Sequence, residues 1–209
     1  MQNLENHINK ILYYLGSEED VLDRLQNAAE FYNLDFFLSI TGENPFFSID
    51  YANKVVNELK RNRWDFIYPG NLPMGCAVYG LKNKALKVVC KVKKEIDTEI
   101  WGPLINRPEI FKVGNLNIEE FYNRPSLRLT TDYPEDYEFI KKIYSHFTKD
   151  EIPTLFDVLN ILDKNPEYLK INSNRKQAGL SDNELKRIDA FYIENHSKIV
   201  KLKEEIFND

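Results

Sequence analysis

Short apolar runs alternate with amphipathic stretches along most of this chain. Residues 11–15 (ILYYL), 34–41 (LDFFLSIT) and 64–68 (WDFIY) are apolar runs of strand length. Such runs are typical of strands that are buried on both faces. The stretches between them carry apolar positions at helical spacing, and Ser17 with Asp20 forms a capping-box pattern before the first of these. Because strands that alternate with helices form right-handed crossovers, the pattern predicts an α/β fold with a mostly parallel sheet.

A fourth strand-to-helix junction lies at residues 127–140 and has the strongest local signals. Residues 127–130 (LRLT) suit a buried strand, and apolar positions then recur at helical spacing. Asp132, Pro134 and Glu135 together predict a helix start with Asp132 as the N-cap. Asp132 would then lie just past the carboxyl end of a strand, where open α/β sheets bind ligands.

The second half of the chain changes from mixed to helical patterns. We expect residues 1–150 to form the α/β domain and residues 151–209 to form a helical C-terminal extension. Residues 76–79 and 110–113 are weaker strand candidates, and we expect the second of these to be antiparallel if it joins the sheet.

Composition and charge limit the classes of partner. The chain has 209 residues, a formal net charge of −5 and a sequence pI of about 5.4. It therefore lacks the basic field of nucleic-acid-binding proteins, and no nucleic-acid partner is expected. No apolar run approaches the length of a membrane span and no signal-peptide pattern opens the chain, so we expect a cytoplasmic protein without a membrane partner. Cys76 and Cys90 lack metal-ligand spacing, which favours reduced thiols.

Three segments of the chain resemble a known family. Residues 16–24 (GSEEDVLDR), 39–47 (SITGENPFF) and 127–140 (LRLTTDYPEDYEFI) are similar to segments of the cytidylyltransferase family of spore-coat polysaccharide biosynthesis proteins, relatives of the CMP-KDO and CMP-acylneuraminate synthetases. The resemblance implies a Rossmann-like nucleotide-sugar transferase sheet. It also implies that the substrates are a nucleotide and a sugar, with transfer of a nucleotidyl group, CMP from CTP or the corresponding group of another NTP, to the sugar and release of pyrophosphate.

The same resemblance implies a metal site. The positions that hold Mg²⁺ in the related synthetases fall on Glu43 and Asp132, which become the candidate catalytic residues and ligands of Mg²⁺ or Mn²⁺. Mg²⁺ commonly takes one or two carboxylates and completes its octahedron with phosphate and water oxygens. We therefore expect the two carboxylates to approach closely enough to share one ion. The candidate nucleotide-binding residues are Ser17, Asp20, Arg24, Gly42 and Asn44.

The chain also departs from the family pattern. The family's Arg- and Gly-rich loop, which cradles the triphosphate and ends in Lys, has no counterpart here, and we expect a first βαβ unit of roughly 30 residues to be missing. Glu43 stands where the family has Asp, and residues 75–79 (GCAVY) lack two acidic side chains that could meet the sugar. We therefore expect near-background pyrophosphate release by this chain alone. We also expect a homodimer or a partner chain over the exposed sheet edge.

Simpler interpretations stay open for the two carboxylates and for the function. Asp132 is explained equally well as a helix N-cap alone, which is worth about 1 kcal/mol, and Glu43 as a turn residue. Two other functions compete with nucleotidyl transfer: a non-catalytic protein that binds a sugar nucleotide or a partner chain, and a metal-dependent glycosyltransferase. Product analysis separates the three, since they release pyrophosphate, nothing, and a nucleoside diphosphate respectively.

Overall fold

A four-stranded sheet lies at the centre of the computed structural model, which describes residues 11–208. Its strands are β1 (Phe36–Ser39), β2 (Phe66–Tyr68), β3 (Tyr79–Lys82) and β4 (Val113–Asn115), in the spatial order β1-β3-β2-β4. β3 pairs antiparallel with both β1 and β2, and β2 pairs parallel with β4. Three of the four strands therefore point the same way, and β3 is inserted between them in the reverse direction.

Helices surround this sheet and confirm the predicted α/β class. They are α1 (Val21–Phe31), α2 (Ile49–Lys60), α3 (Asn83–Val92), α4 (Gly102–Ile105), α5 (Pro134–Tyr144), α6 (Leu155–Lys164) and α7 (Asp182–Asn208), with 3-10 turns at Glu120–Tyr122 and Pro166–Lys170. The region after Pro153 is helical, as its pattern predicts. The two weaker strand predictions are displaced by a few residues: they correspond to β3 and to β4, and β4 is parallel to its neighbour rather than antiparallel.

The prediction of a buried strand at residues 11–15 is wrong. This segment has no strand conformation, and Ile11 and Tyr13 are 71% and 83% exposed. It runs past the end of α1, where the Tyr32 hydroxyl donates to the Tyr13 carbonyl at 2.6 Å and Tyr14 packs against Phe31. An apolar run satisfies the strand pattern by itself, but a strand also needs a partner to complete its hydrogen bonds.

The predicted sheet strand at residues 127–130 is also wrong, because this segment pairs with a loop. Arg128 forms one isolated parallel bridge with Met74, flanked by a bond from the Met74 N–H to the Leu127 carbonyl (2.8 Å) and one from the Leu129 N–H to the Met74 carbonyl (2.9 Å). The ladder stops there because the neighbouring groups are bonded within turns: the Leu127 N–H donates to the Arg124 carbonyl at 3.0 Å, and the Cys76 N–H donates to the Pro73 carbonyl at 2.9 Å. On the other side, Gly75 adopts a φ of +85°, which turns the loop away.

Three hydrophobic clusters hold the described elements together, and two of them bear on the position of the site. The first joins the sheet to α3, α4 and α7, and includes Phe66, Leu86 and Tyr192. The second joins α5 and α6 to the 127–130 segment, and includes Leu129 and Phe139. The bridge between Arg128 and Met74 thus positions the start of α5 beside the carboxyl end of β1.

The state of the two cysteines and the length of the helices bear on two further predictions from the sequence. Cys76 is buried, Cys90 is half-buried, and both are free thiols. Burial raises the pKa of Cys90 to about 12, so this thiol stays protonated at neutral pH. Within residues 11–208, no helix is both long enough and apolar enough to cross a bilayer.

Candidate functional site

A cleft lies between the loop after β1, the irregular segment before α4 and the start of α5. Its larger lobe has a volume of about 680 Å³ and its smaller lobe about 390 Å³. The two lobes share lining residues, including Glu43, Trp101 and Gln177. Among the described residues, Arg24 is the one basic residue that lines the larger lobe. Six carboxylates line it: Glu18, Glu19, Glu43, Asp97, Glu99 and Asp132.

Glu43 and Asp132 both line the larger lobe of this cleft. The Thr131 N–H donates to the Glu43 carbonyl at 3.0 Å, which fixes the loop after β1 against the residue that precedes Asp132. Glu43 is exposed, and the Asp132 side chain is 34% exposed. Two residues 89 positions apart in the chain are thus brought to one solvent-accessible surface.

The prediction that Asp132 is the N-cap of its helix is wrong. α5 begins at Pro134 with Tyr133 as N-cap, and the Asp132 carboxylate accepts from the Arg128 guanidinium at 2.5 Å. The capping carboxylate is Asp136 at N3, which accepts the backbone N–H groups of Asp132 and Tyr133 at 3.1 Å each. Asp132 is therefore free of the capping role that competed with ligand binding.

Asp136 is the centre of a buried polar network. Its side chain is fully buried and accepts from Arg128 at 2.7 to 3.0 Å and from the Asn172 amide at 2.9 Å. Burial opposes ionisation of Asp136, but the bonds from Arg128, Asn172 and the two backbone N–H groups outweigh it and lower its pKa. Arg128 is thereby fixed between Asp136, in the interior, and Asp132, on the cleft.

Two of the candidate nucleotide-binding residues lie in the cleft. Arg24 lines the larger lobe, and its guanidinium donates to the carbonyls of Ser17 (2.6 Å) and Glu18 (3.2 Å). Asn44 lines the smaller lobe and donates to the Thr41 hydroxyl at 2.6 Å. Its Oδ1 atom is buried without a hydrogen-bond partner among the described residues.

The other three nucleotide-binding candidates are not among the lining residues. Asp20 is the N-cap of α1, where it accepts from the Asp23 N–H and the Thr98 hydroxyl and forms an ion pair with Lys93. Burial opposes ionisation of Asp20, but the bonds from Lys93, Asp23 and Thr98 lower its pKa. The Ser17 hydroxyl accepts the Asp20 N–H, one turn before the helix, so Asp20 itself caps α1 in place of the predicted capping box. Gly42 is exposed beside the cleft.

Sequence reasoning missed several lining residues. Trp101 is 8% exposed and packs edge-to-face with Tyr79 at 5.3 Å, so these rings form an apolar floor of the smaller lobe. The available signal was an aromatic residue in an irregular, proline-containing segment. Gln177 and Ala178 line both lobes, but they lie in a polar linker that carries no local signal.

The chain is similar to a known protein family and to proteins of two organisms. Residues 1–165 match the family model described as cytidylyltransferase. The chain is 35% identical over 166 residues to an uncharacterized protein, MJ1063, of Methanocaldococcus jannaschii, covering 78% of this chain and 68% of that protein. It is 26% identical over 157 residues to the spore coat polysaccharide biosynthesis protein SpsF of Bacillus subtilis, covering 74% and 65%. The chain thus spans about two thirds of the length of these relatives.

A solved structure shares the fold. The structure of a cytidylyltransferase from Leptospira borgpetersenii superposes with a TM-score of 0.70 over 85% of this chain and 76% of that one. The sequence identity is 22%, so this likeness concerns the fold alone.

Proposed function

We propose a function from one established premise: this chain belongs to the cytidylyltransferase family. It transfers a cytidylyl group from CTP to a sugar, with release of pyrophosphate, in the biosynthesis of a surface polysaccharide. The named role of the Bacillus subtilis relative in spore coat polysaccharide biosynthesis supports this assignment.

One observation carries the proposal. Glu43 and Asp132, which the family resemblance assigns to the metal, line one lobe of one cleft although 89 positions separate them in the chain. Nothing in the roles of turn residue and helix cap requires these two side chains to line the same cleft. The structure also gives the capping bonds to Asp136 and leaves Asp132 facing the cleft.

The chemistry of these donors fits Mg²⁺ or Mn²⁺ that arrives with a nucleotide. Residues 11–208 contain no cluster of three or more Asp, Glu, His or Cys side chains able to hold an ion by themselves. Mg²⁺ needs only one or two carboxylates when phosphates and water supply the other oxygens. Glu43 and Asp132 would hold the ion, which when bound neutralises charge on the triphosphate.

The residues of the chain have separable tasks in this reaction. Arg128 orients Asp132 through their 2.5 Å bond, and the Trp101 ring forms an apolar part of the wall of both lobes. Neutralisation of the phosphate charge is weak, because Arg24 is the one basic residue among residues 11–208 that lines the cleft, and it already donates to two carbonyls. We therefore expect the chain alone to bind a metal–nucleotide complex but to turn it over near background.

A single-turnover assay tests this function, because slow chemistry is visible when protein exceeds nucleotide. Radiolabelled CTP is mixed with excess protein, Mg²⁺ and a panel of sugars, and pyrophosphate and nucleotide products are separated. We expect sugar-dependent release of pyrophosphate that prefers CTP over ATP, GTP and UTP. The release should disappear in the Glu43→Gln, Asp132→Asn double variant and persist in Asp163→Asn, which breaks an exposed ion pair outside the cleft.

The alternative functions give different products in the same assay. Metal-dependent binding of CTP without any pyrophosphate would identify a non-catalytic binding protein. A nucleoside diphosphate released when a sugar nucleotide replaces CTP in the assay would identify a glycosyltransferase. Either result would overturn cytidylyl transfer as the function of this chain.

A further inference from the structure

The segment of residues 172–178, here called the strap, crosses from the region of α6 to α7 without helix or strand structure. It lies beyond residues 1–165, which match the family model. Its last two residues, Gln177 and Ala178, nevertheless line both lobes of the cleft. A segment outside the matched region therefore forms part of the wall of the proposed site.

Three contacts anchor the strap, two to the start of α5 and one to Arg128, which precedes that helix. The buried amide of Asn172 donates to Asp136 at 2.9 Å. The Arg175 guanidinium makes a two-bond ion pair with Glu135, at 2.6 and 3.0 Å. Further along, the Arg128 guanidinium donates to Oε1 of Gln177 at 2.6 Å.

An aromatic contact reinforces these anchors. The guanidinium groups of Arg128 and Arg175 lie 5.3 and 4.8 Å from the centre of the Tyr133 ring. Cation–π contacts of this kind favour a fixed guanidinium orientation. Because Tyr133 also lines the larger lobe, the strap is held against the same rim that carries Asp132.

The contact with Arg128 fixes which end of the Gln177 amide is available. A guanidinium can only donate, so the amide must present its oxygen to Arg128. The Nε2 group then points its two N–H donors elsewhere, and the structure gives them no hydrogen-bond partner among residues 11–208. In a cleft lined by six carboxylates and one guanidinium, a neutral donor is suited to the oxygen atoms of an anionic ligand.

We propose that Gln177 is a substrate-binding residue of the cleft, donating an amide N–H to an oxygen of the bound nucleotide, and that Arg128 positions it. This inference rests on the proposed function, because it requires a nucleotide in the cleft. Arg128 then orients two side chains of one rim: its Nη2 group donates to Asp132, and its Nη1 group donates to Gln177.

Two substitutions at Gln177 separate binding from structure. Gln177→Glu keeps an oxygen for Arg128 but removes both N–H donors, so the strap stays anchored while the ligand contact is lost. Gln177→Ala removes both contacts. Ser173→Ala is the matched control, because Ser173 lies on the same strap, bonds only to the Lys170 carbonyl and does not line the cleft.

Calorimetric titration of the full chain with Mg²⁺ and CTP is the test. We expect Gln177→Ala to weaken CTP binding about fivefold, the value of one neutral hydrogen bond. Gln177→Glu should weaken it at least as much, since it adds a negative charge, with the melting temperature unchanged. Parallel titrations with CMP and with inorganic pyrophosphate show whether the partner oxygen belongs to the nucleoside monophosphate or to the outer phosphates.

The outcomes separate this inference from the function on which it rests. If the wild type binds CTP and both Gln177 variants bind it equally well, Gln177 is structural and the inference is wrong while the proposed function stands. If the wild type and Ser173→Ala bind no nucleotide at all, the proposed function fails and the inference fails with it. Loss of affinity in Ser173→Ala equal to that in Gln177→Glu would also overturn the inference.

Discussion

Behind each rim of the cleft lies a carboxylate that caps a helix: Asp20 is half-buried and Asp136 is fully buried. The two carboxylates have different neighbours. On one rim, Asp20 caps α1 and pairs with Lys93 and Thr98. On the other rim, Asp136 caps α5 and pairs with Arg128. Only the second arrangement has a neighbouring carboxylate, Asp132, that shares the same arginine and faces the cleft.

This difference shows how a buried carboxylate can take the capping bonds of a helix and leave a neighbouring exposed carboxylate available. Asp20 fulfils the capping role that the sequence assigns to its region, and its carboxylate is occupied by bonds to other groups of the protein. Asp136 takes over the capping bonds at its helix, so that Asp132 is held by one oxygen only, through Arg128. A helix-start signal in the sequence is therefore compatible with a ligand-binding carboxylate when the helix has a second acidic residue at N3.

The largest expected effect is on stability when the Asp136 rim is broken. Asp136→Asn leaves the buried Arg128 without its full counter-charge, which typically costs roughly 3–5 kcal/mol of the free energy of unfolding. Chemical denaturation of the variant and the wild type measures this cost. Asp163→Asn, which breaks the exposed pair with Arg124, is the control and should cost less than about 1 kcal/mol. Equal losses in the two variants would show that the buried network is not special.

A smaller loss is expected when the opposite rim is changed. Asp20→Asn keeps a good N-cap residue but weakens the contact with Lys93, so we expect a loss of about 1–3 kcal/mol in the free energy of unfolding. Because Asp20 does not line the cleft, CTP affinity should stay within a factor of two of the wild type under conditions where both are folded. A tenfold loss of CTP affinity would restore Asp20 as a nucleotide-binding residue and remove the contrast between the rims.

Asp20 and Asp136 should both contribute to the loss of folding stability in acid. The pKa values of Asp136 and Asp20 are lowered in the folded protein, so the unfolded chain binds more protons below about pH 4. The stabilisation from these groups is fully present above the unfolded pKa and is lost as the pH falls through the folded pKa. Unfolding free energy measured between pH 3 and pH 6, roughly spanning the carboxylate range, should fall less steeply with acid in Asp136→Asn. An unchanged slope would contradict the assigned network.

The sequence predicts those parts of the molecule that depend on local patterns. β1 and β2 lie in their predicted apolar runs, and α2 in its amphipathic stretch, because burial and periodicity are properties of neighbouring residues. The strands expected at residues 11–15 and 127–130 fail because strand formation depends on a partner elsewhere. The first has none in the described residues, and the second meets a proline-containing loop.

The residues of the site also divide into those that the sequence predicts and those that depend on distant contacts. Family resemblance selects Glu43 and Asp132, and both line the cleft. The role of Gln177 depends on a contact with Arg128, 49 positions away, and nothing in its polar linker signals that contact. The N-cap prediction for Asp132 fails because Arg128, four residues earlier, competes for its carboxylate and Asp136 supplies the capping bonds instead.

The most direct test of the account is Mg²⁺-dependent binding of CTP in wild type, Glu43→Gln, Asp132→Asn and the double variant. If both carboxylates hold one ion, each single variant should lose most of the Mg²⁺-dependent affinity, and the double variant should lose little more than either single one. Calorimetry with and without Mg²⁺ measures all four affinities, with Asp163→Asn as the folded control. Wild-type affinity in either single variant, or affinity losses that simply add and persist without Mg²⁺, would contradict the claim that Glu43 and Asp132 form one metal–nucleotide site.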